Sequence, residues 1–177
     1  MRETDESAVV ERARCGDIQA FELLYRRWVS PIYSLSLKMS GSSELAEDLT
    51  QEVFITAWEK LPLFNDRSSF FTWLYRLAVR VIMRKRSREH HYIRSSQPIE
   101  SISGVHQEGR ARYDASDKID LQRSIARLPV RTRAALVLFD IEGYSHGEIS
   151  RILGIREGTS KALVSRGRKQ LARELLV

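Results

Sequence analysis

Apolar side chains recur at intervals of three and four residues along most of this sequence, and that spacing admits helices and little else. Phe21, Leu24, Trp28, Ile32, Leu35 and Met39 mark one apolar face; Leu45, Leu49, Val53, Ala57 and Leu61 mark another at a strict four-residue interval. Strand-like alternation is missing and hairpin signals are few, so the chain reads as all-α. Gly16 ends a first helix and Asp17 caps the second, Gly41 closes the second, Ser42 or Ser43 opens the third, and Pro62 stops it. Pro31 lies inside the second pattern and is expected to kink or divide that helix. Residues 63–69 read as a short loop, and a fourth helix as running from about residue 70 to 88.

Between about residues 87 and 116 the apolar density falls, and Ser, Gln, Gly, His and Pro98 take over. Such a segment reads as a flexible linker between two small helical domains. Beyond it, Ile119, Ile125 and Leu128 belong to one helix and Ala134, Leu136, Val137 and Phe139 to another, separated at Pro129. Ser145-His146-Gly147-Glu148 has the form of a capping box that starts a further helix. That helix ends near Gly154, and a last helix carries Lys161, Arg166, Arg168, Lys169 and Arg173.

The 177 residues leave no room for a large enzyme barrel, and 42% hydrophobic residues suffice for a buried core. Neither a membrane-length apolar run nor a signal-peptide h-region is present, so membrane insertion is not expected and the cytoplasm is. Cys15, the one cysteine, excludes an internal disulfide and a cysteine-rich zinc site; at a helix end it reads as a packed small apolar residue. His90, His91, His106 and His146 form no convincing ligand set with the carboxylates, and no glycine-rich nucleotide loop is found. The reading is therefore of a protein that is not an enzyme and holds no metal or cofactor.

Charge is distributed unevenly. Residues 44–66 hold six acids and one base, residues 67–88 hold seven bases and no acid, and residues 117–177 carry 12 Lys/Arg against 7 Asp/Glu. A net charge of +6 fits a polyanionic partner, and adjacent surfaces of opposite sign point to two different partners.

Three groups of residues carry that chemistry. The C-terminal pair of helices has the form of a helix-turn-helix whose second member is basic and suited to a major groove. Its core side reads as Ser160, Val164, Gly167 and Leu171, which turns Thr159, Lys161, Ala162, Ser165, Arg166 and Lys169 outward. Arg76, Arg80, Arg84 and Arg88 place a cation every ~6 Å along the fourth helix. Phe64, Phe70, Phe71, Trp73 and Tyr75 cluster just before them, mostly as core with one or two rings reachable. Rings beside cations suit an unstacked single strand, since bases stack on the ring while arginines hold the backbone. On the third helix Asp48, Gln51, Glu52 and Glu59 point away from the leucine stripe. Such a face repels DNA and suits a basic protein, with Phe54, Ile55 and Trp58 as apolar anchors.

These residues resemble a known family. Asp48 to Phe54 with Trp58, Phe71 to Ala78, Leu128-Pro129, Glu142 to Ser145, Glu148-Ile149, Ile152 to Ile155 and Gly158 to Lys161 are similar to the extracytoplasmic-function (ECF) sigma factors of bacterial transcription. The resemblance implies sigma region 2 in residues 1–88, a linker in 89–116, and sigma region 4 in 117–177. It implies that the acidic helix, through Asp48, Gln51, Glu52, Phe54, Ile55 and Trp58, docks on core RNA polymerase. It implies that Phe64, Asn65, Asp66, Trp73, Tyr75, Arg76, Arg80, Arg84 and Arg88 recognise and open the minus-ten element and hold its melted non-template strand. It also implies that Arg156, Thr159, Lys161, Ala162, Ser165, Arg166, Arg168 and Lys169 read the minus-thirty-five element in duplex DNA, and that an anti-sigma factor occludes these surfaces.

Some positions depart from the family. Arg80 stands where many members carry asparagine, and Met83-Arg84 replaces a commonly polar or acidic pair, so minus-ten base preference does not transfer. Ser160 replaces an apolar residue, Leu163 a frequent arginine and Gly167 a frequent alanine. Glycine inside a helix costs about 1 kcal/mol relative to alanine. The alternatives are a stand-alone helix-turn-helix regulator, which has no need of the acidic helix, and a small nucleic-acid enzyme, which needs carboxylates that bind metal.

Overall fold

The computed structural model describes the backbone of residues 3–95 and 116–175 and the side-chain surroundings of residues 6–85 and 121–174. All regular structure among them is helical: α1 (Glu3–Arg14), α2 (Ile18–Ser40), α3 (Ser43–Lys60), α4 (Phe70–Ser95), α5 (Ser116–Arg127), α6 (Val130–Leu136), α7 (His146–Leu153) and α8 (Glu157–Leu175). A 3₁₀ turn at Leu61–Leu63 follows α3, and a π turn at Val137–Ile141 continues α6. The linker expected at 89–116 is in part helix, because α4 runs on to Ser95; residues 96–115 lie outside the described residues.

Local signals start and stop these helices as their chemistry dictates. Asp17 caps α2 by accepting from the Ala20 N–H, and Ser42 caps α3 by accepting from that of Leu45. Gly41 and Gly154 close α2 and α7 in the left-handed conformation, with φ of 76° and 64°. Pro31 does not divide α2, which continues through it. Ile32, Leu35 and Met39 beyond the proline are buried, so packing keeps the second half of the helix folded despite the missing N–H donor.

The first half is built from α1 to α4. Leu24, Ile32 and Leu35 of α2 meet Leu49, Val53 and Ala57 of α3, all fully buried, while Leu74, Ala78 and Ile82 of α4 complete the core. Each large side chain buried there contributes ~1.5–3 kcal/mol. On α1, Val9, Val10 and Ala13 take the buried positions, and Cys15 beyond its last turn is exposed. The expectation of a packed cysteine is corrected: the buried face of the helix ends at Ala13, two residues earlier. The second half packs α6 and α7 against α8 around Leu136, Leu138, Ile149, Val164 and Leu171.

The two halves are not held apart. They share one continuous apolar core, with α4 against α6 and α7, and α2 against α5 and α6. Arg133 of α6 is the centre of this junction at 3% exposure. Its guanidinium donates to the carbonyls of Met39 (2.8 Å) and Ser40 (3.3 Å) at the end of α2, and to those of Leu128 (3.0 Å) and Ala126 at the end of α5. One cation thus satisfies the orphan carbonyls of two helix C-termini, where the macrodipole favours positive charge. Lys38 pairs with Glu142 at 2.8 Å, and the rings of Tyr75 and Tyr144 stack at 5.8 Å. Gly41 lies directly against the Ala126 side chain, so a residue with a Cβ could not stand there without moving α5.

Candidate nucleic-acid interface

The α7–α8 unit is a helix-turn-helix fixed at three points. The Ser145 hydroxyl accepts from the Glu148 N–H while the Glu148 carboxylate accepts from the Ser145 N–H at 3.0 Å, completing the capping box. The Ser145 hydroxyl also donates to that carboxylate at 2.7 Å, and this bond first, the Ser145 N–H next, holds the Glu148 carboxyl below the ordinary range. The turn follows Gly154, with the Ile155 N–H returning to the Ser150 carbonyl. Finally, the His146 ring stacks on Phe139 at 4.1 Å and shares a 3.0 Å hydrogen bond with the Ser160 hydroxyl, which is fully buried. That bond explains why a hydroxyl replaces an apolar residue at Ser160: it ties the start of α7 to the first turn of α8.

On α8 the seam Ser160, Leu163, Val164, Gly167 and Leu171 is buried, whereas Arg156 before the helix and Thr159, Lys161, Ala162, Ser165, Arg166, Arg168 and Lys169 are exposed. The spacing therefore gave the correct orientation. Gly167 has a purpose that spacing did not reveal. A Cβ there would stand 2.7 Å from Leu136 Cδ1 and 3.2 Å from Thr132 Cγ2, so glycine lets α8 approach α6 closely. Arg168 differs from its neighbours: it grips the Asp140 carboxylate with both Nε and Nη2 and lies 5.4 Å over the Phe139 ring. Asp140 raises its already high pKa. Lys161 pairs with Glu157 at 2.9 Å in an exposed i,i+4 contact, which is weak and easily exchanged for a phosphate.

Around the fourth helix, Phe64 and Tyr75 are buried, Trp73 is half-buried, and Asn65 and Asp66 are exposed. Trp73 packs against Phe64 and Phe70 with centroids at 5.3 and 5.7 Å, and Phe71 stacks on Trp28 at 4.5 Å. The reachable rings are thus the half-buried Trp73 and Phe71. Asp66 adopts φ of 54°, a left-handed conformation that is uncommon outside glycine. Arg14 secures this loop by donating to the Phe64 carbonyl (2.8 Å) and the Asp66 carboxylate (3.1 Å), a role no local pattern announced across fifty residues. Arg76 is half-buried, Arg80 and Arg84 are exposed, and the Arg88 side chain lies outside the described surroundings.

Part of the exposed stripe also borders the second half. Arg80 and Arg84 line a cleft with Met83, Arg131, Ile152 and Leu153, between α4 on one side and α6 and α7 on the other. Tyr75, read as a strand contact, is packed on Tyr144 instead; burial first, and Glu142 next, push its hydroxyl far up.

On α3, Asp48, Gln51 and Ile55 are exposed and Glu52 and Trp58 half-buried. Phe54 is a correction: at 4% exposure it lies edge-on to Tyr25 and Phe21 in the α2–α3 core and offers no anchor. Tyr25 remains partly exposed over it, an apolar surface that sequence reasoning missed. Glu52 and Arg84 come within 4.0 Å, so the acidic and basic faces meet at one edge. No group of three or more metal-ligating side chains occurs among the described residues, and no described helix is long and apolar enough to cross a membrane.

Comparison with known proteins accounts for this layout. Residues 24–92 match sigma-70 region 2, and residues 118–171 match sigma-70, region 4. Region 2 before region 4 on helical units of this size defines the sigma-70 class. The sequence is 32% identical to the ECF RNA polymerase sigma factor SigM of Mycobacterium tuberculosis over 160 residues, covering 90% of this chain and 79% of SigM. It is 31% identical to the ECF RNA polymerase sigma factor SigW of Bacillus subtilis over 176 residues, covering 94% of each. Among solved structures, sigma factor RpoE in complex with the anti-sigma factor NepR from Bartonella quintana is similar, with a TM-score of 0.66 and 25% identity over 90% of this chain and 99% of that one. The chain belongs to the ECF sigma factors.

Proposed function

We propose that this chain directs a bacterial core RNA polymerase to its promoters, with region 2 in residues 1–88 and region 4 in residues 117–177. The observation that carries the reading is the outward face of α8, where Thr159, Lys161, Ala162, Ser165, Arg166 and Lys169 are all exposed opposite a buried seam. Together with Arg156 and Arg168 that face reads the upstream duplex, with phosphate contacts positioning the helix and a few side chains reaching base edges. Asp48, Gln51, Glu52, Ile55 and Trp58 dock on the polymerase. Asn65, Asp66, Trp73, Arg76, Arg80, Arg84 and Arg88 take the melted non-template strand. The chain has no catalysis of its own and acts in the cytoplasm; binding energy opens the promoter and the polymerase performs the chemistry.

In the packed arrangement the arginine stripe forms one wall of a cleft, so capture of a strand requires the halves to part. This is a resting form, and an anti-sigma factor acts on the same surfaces. A stand-alone helix-turn-helix regulator is less well supported, since it gives region 2 no task.

Charge reversal tests the reading. Asp48→Lys with Glu52→Lys is expected to abolish co-purification with core polymerase while helicity and region 4 binding to promoter duplex persist. Unchanged association with core would favour the stand-alone regulator. Arg80→Ala is expected to weaken open-complex formation while sparing core binding.

A further inference from the structure

The cleft between the halves gathers more positive charge than either half alone. Its main chamber, about 220 Å³, is lined by Arg80, Met83, Arg84, Arg131, Ile152 and Leu153, and an adjoining recess of about 80 Å³ by Arg76, Arg80, Glu148, Arg151 and Ile152. Five arginines from α4, α6 and α7 thus line these two spaces, with Arg80 shared by both. Arg80 and Arg131 make no hydrogen bond or ion pair among the described residues. Two acids offset them in part: Glu52 reaches Arg84 at 4.0 Å, and Glu148, which also accepts from the Ser145 N–H and hydroxyl, feels Arg151 and Arg76, so five cations still face two carboxylates. Met83, Ile152 and Leu153 form an apolar lining that lowers the local dielectric and makes unneutralised like charges costlier.

We propose that this cleft is a binding site for a condensed phosphate, the phosphate chain of pyrophosphate, tripolyphosphate or a nucleoside polyphosphate, and that the bound anion holds the two halves closed. Guanidinium forks match phosphate oxygens in pairs, and several cations in one place favour a multivalent anion over a single phosphate. The chamber falls below the ~300–1,000 Å³ of sites that enclose a drug-sized ligand, so it takes a compact phosphate chain and leaves a nucleoside outside. Because Arg80 and Arg84 come from one half and Arg131 and Arg151 from the other, an anion touching both walls binds the closed form alone and shifts the population towards it. The inference stands on the cleft and does not depend on promoter recognition.

The experiment is calorimetric titration of the full chain with tripolyphosphate, with sulfate at matched ionic strength as control. It is repeated on Arg131→Gln with Arg151→Gln, two exposed positions outside the proposed strand-binding set. Wild type is expected to bind tripolyphosphate, and the double variant about tenfold or more weakly, as loss of two charged hydrogen-bonding groups implies. Hydrogen exchange in α4 and α7 is expected to slow on adding tripolyphosphate to wild type and to stay unchanged in the variant, a readout that a folding defect does not mimic. A nucleoside triphosphate binding more tightly than tripolyphosphate identifies a nucleotide as the source, and equal affinity identifies the phosphate chain alone; both support the site. No binding, equal binding by sulfate, equal affinity in the double variant, or binding without slowed exchange overturns it.

Discussion

Replacing Arg133 by methionine separates the contribution of the junction from that of each half. The methionine retains much of the apolar stem and removes the charge and the four donated hydrogen bonds. Two of those bonds, to Leu128 and Ala126, lie within the second half and are lost whether the molecule is closed or open. The other two, to Met39 at 2.8 Å and Ser40 at 3.3 Å, exist only when the halves are together. A hydrogen bond to a charged group contributes ~1.5–3 kcal/mol, with the longer bond at or below the low end, so closure is weakened by about 3 kcal/mol. That corresponds to roughly a hundredfold rise in the open-to-closed ratio. Small-angle scattering reads it directly, because a compact chain of this length has a radius of gyration of about 16 Å and a pair of separated units a larger one. The variant is expected to expand, and amide exchange at the end of α2 to accelerate, while the exposed control Arg127→Met changes neither. A variant as compact and as protected as wild type would refute the argument that this guanidinium joins the halves.

Three smaller perturbations test other contacts. Gly167→Ala gains about 1 kcal/mol of helix propensity but crowds Leu136 and Thr132, which costs ~1–3 kcal/mol, so urea midpoints are expected to fall by the equivalent of about 1 kcal/mol; a stabilised variant would mean the α6–α8 approach is soft. Because burial raises the Tyr75 pKa above its ordinary 10.0, the unfolded chain ionises first; Tyr75 therefore supports the fold fully below pH 10, and that support declines above it. Stability measured across this alkaline range should fall less steeply in Tyr75→Phe, and an identical slope would contradict the burial argument. Glu148 has the opposite sign: its carboxyl is lowered, so its contribution is full above the ordinary carboxylate pKa and fades as pH falls through the lower native value. Ser145→Ala is expected to remove that part of the acid dependence and cost the α7 start about 1 kcal/mol by thermal melting, whereas an unchanged acid profile would exclude the capping box as its origin.

Much of the fold was legible because its signals are local. Asp17, Ser42, Gly41 and the Ser145/Glu148 box sit within four residues of the backbone groups they serve, so sequence order alone exposes them. The buried and exposed sides of α8 followed from helical geometry for the same reason. The acidic helix was legible as a charged face, yet Phe54 was misplaced, since its ring turns into Tyr25 and Phe21 from a helix nearly thirty residues earlier. The junction was invisible. Arg133 reads as one more basic residue in a basic segment, and its partners are backbone carbonyls, which carry no side-chain signature. Gly41 was recognised as a helix stop while its second use, admitting Ala126, depends on a helix some eighty residues away. The two domains were therefore legible and their packing was not: the polar stretch between them showed where the chain divides and nothing of how its parts meet.

The most direct measurement of the account is promoter-dependent transcription by purified core polymerase supplied with this chain and a genomic fragment that the resulting complex retains. A transcript with a single start site, dependent on the chain and absent when Asp48 and Glu52 are both made lysine, is the predicted result. Folded chain that associates with core and yields no such transcript from any retained fragment, or a transcript indifferent to the two reversals, would contradict it.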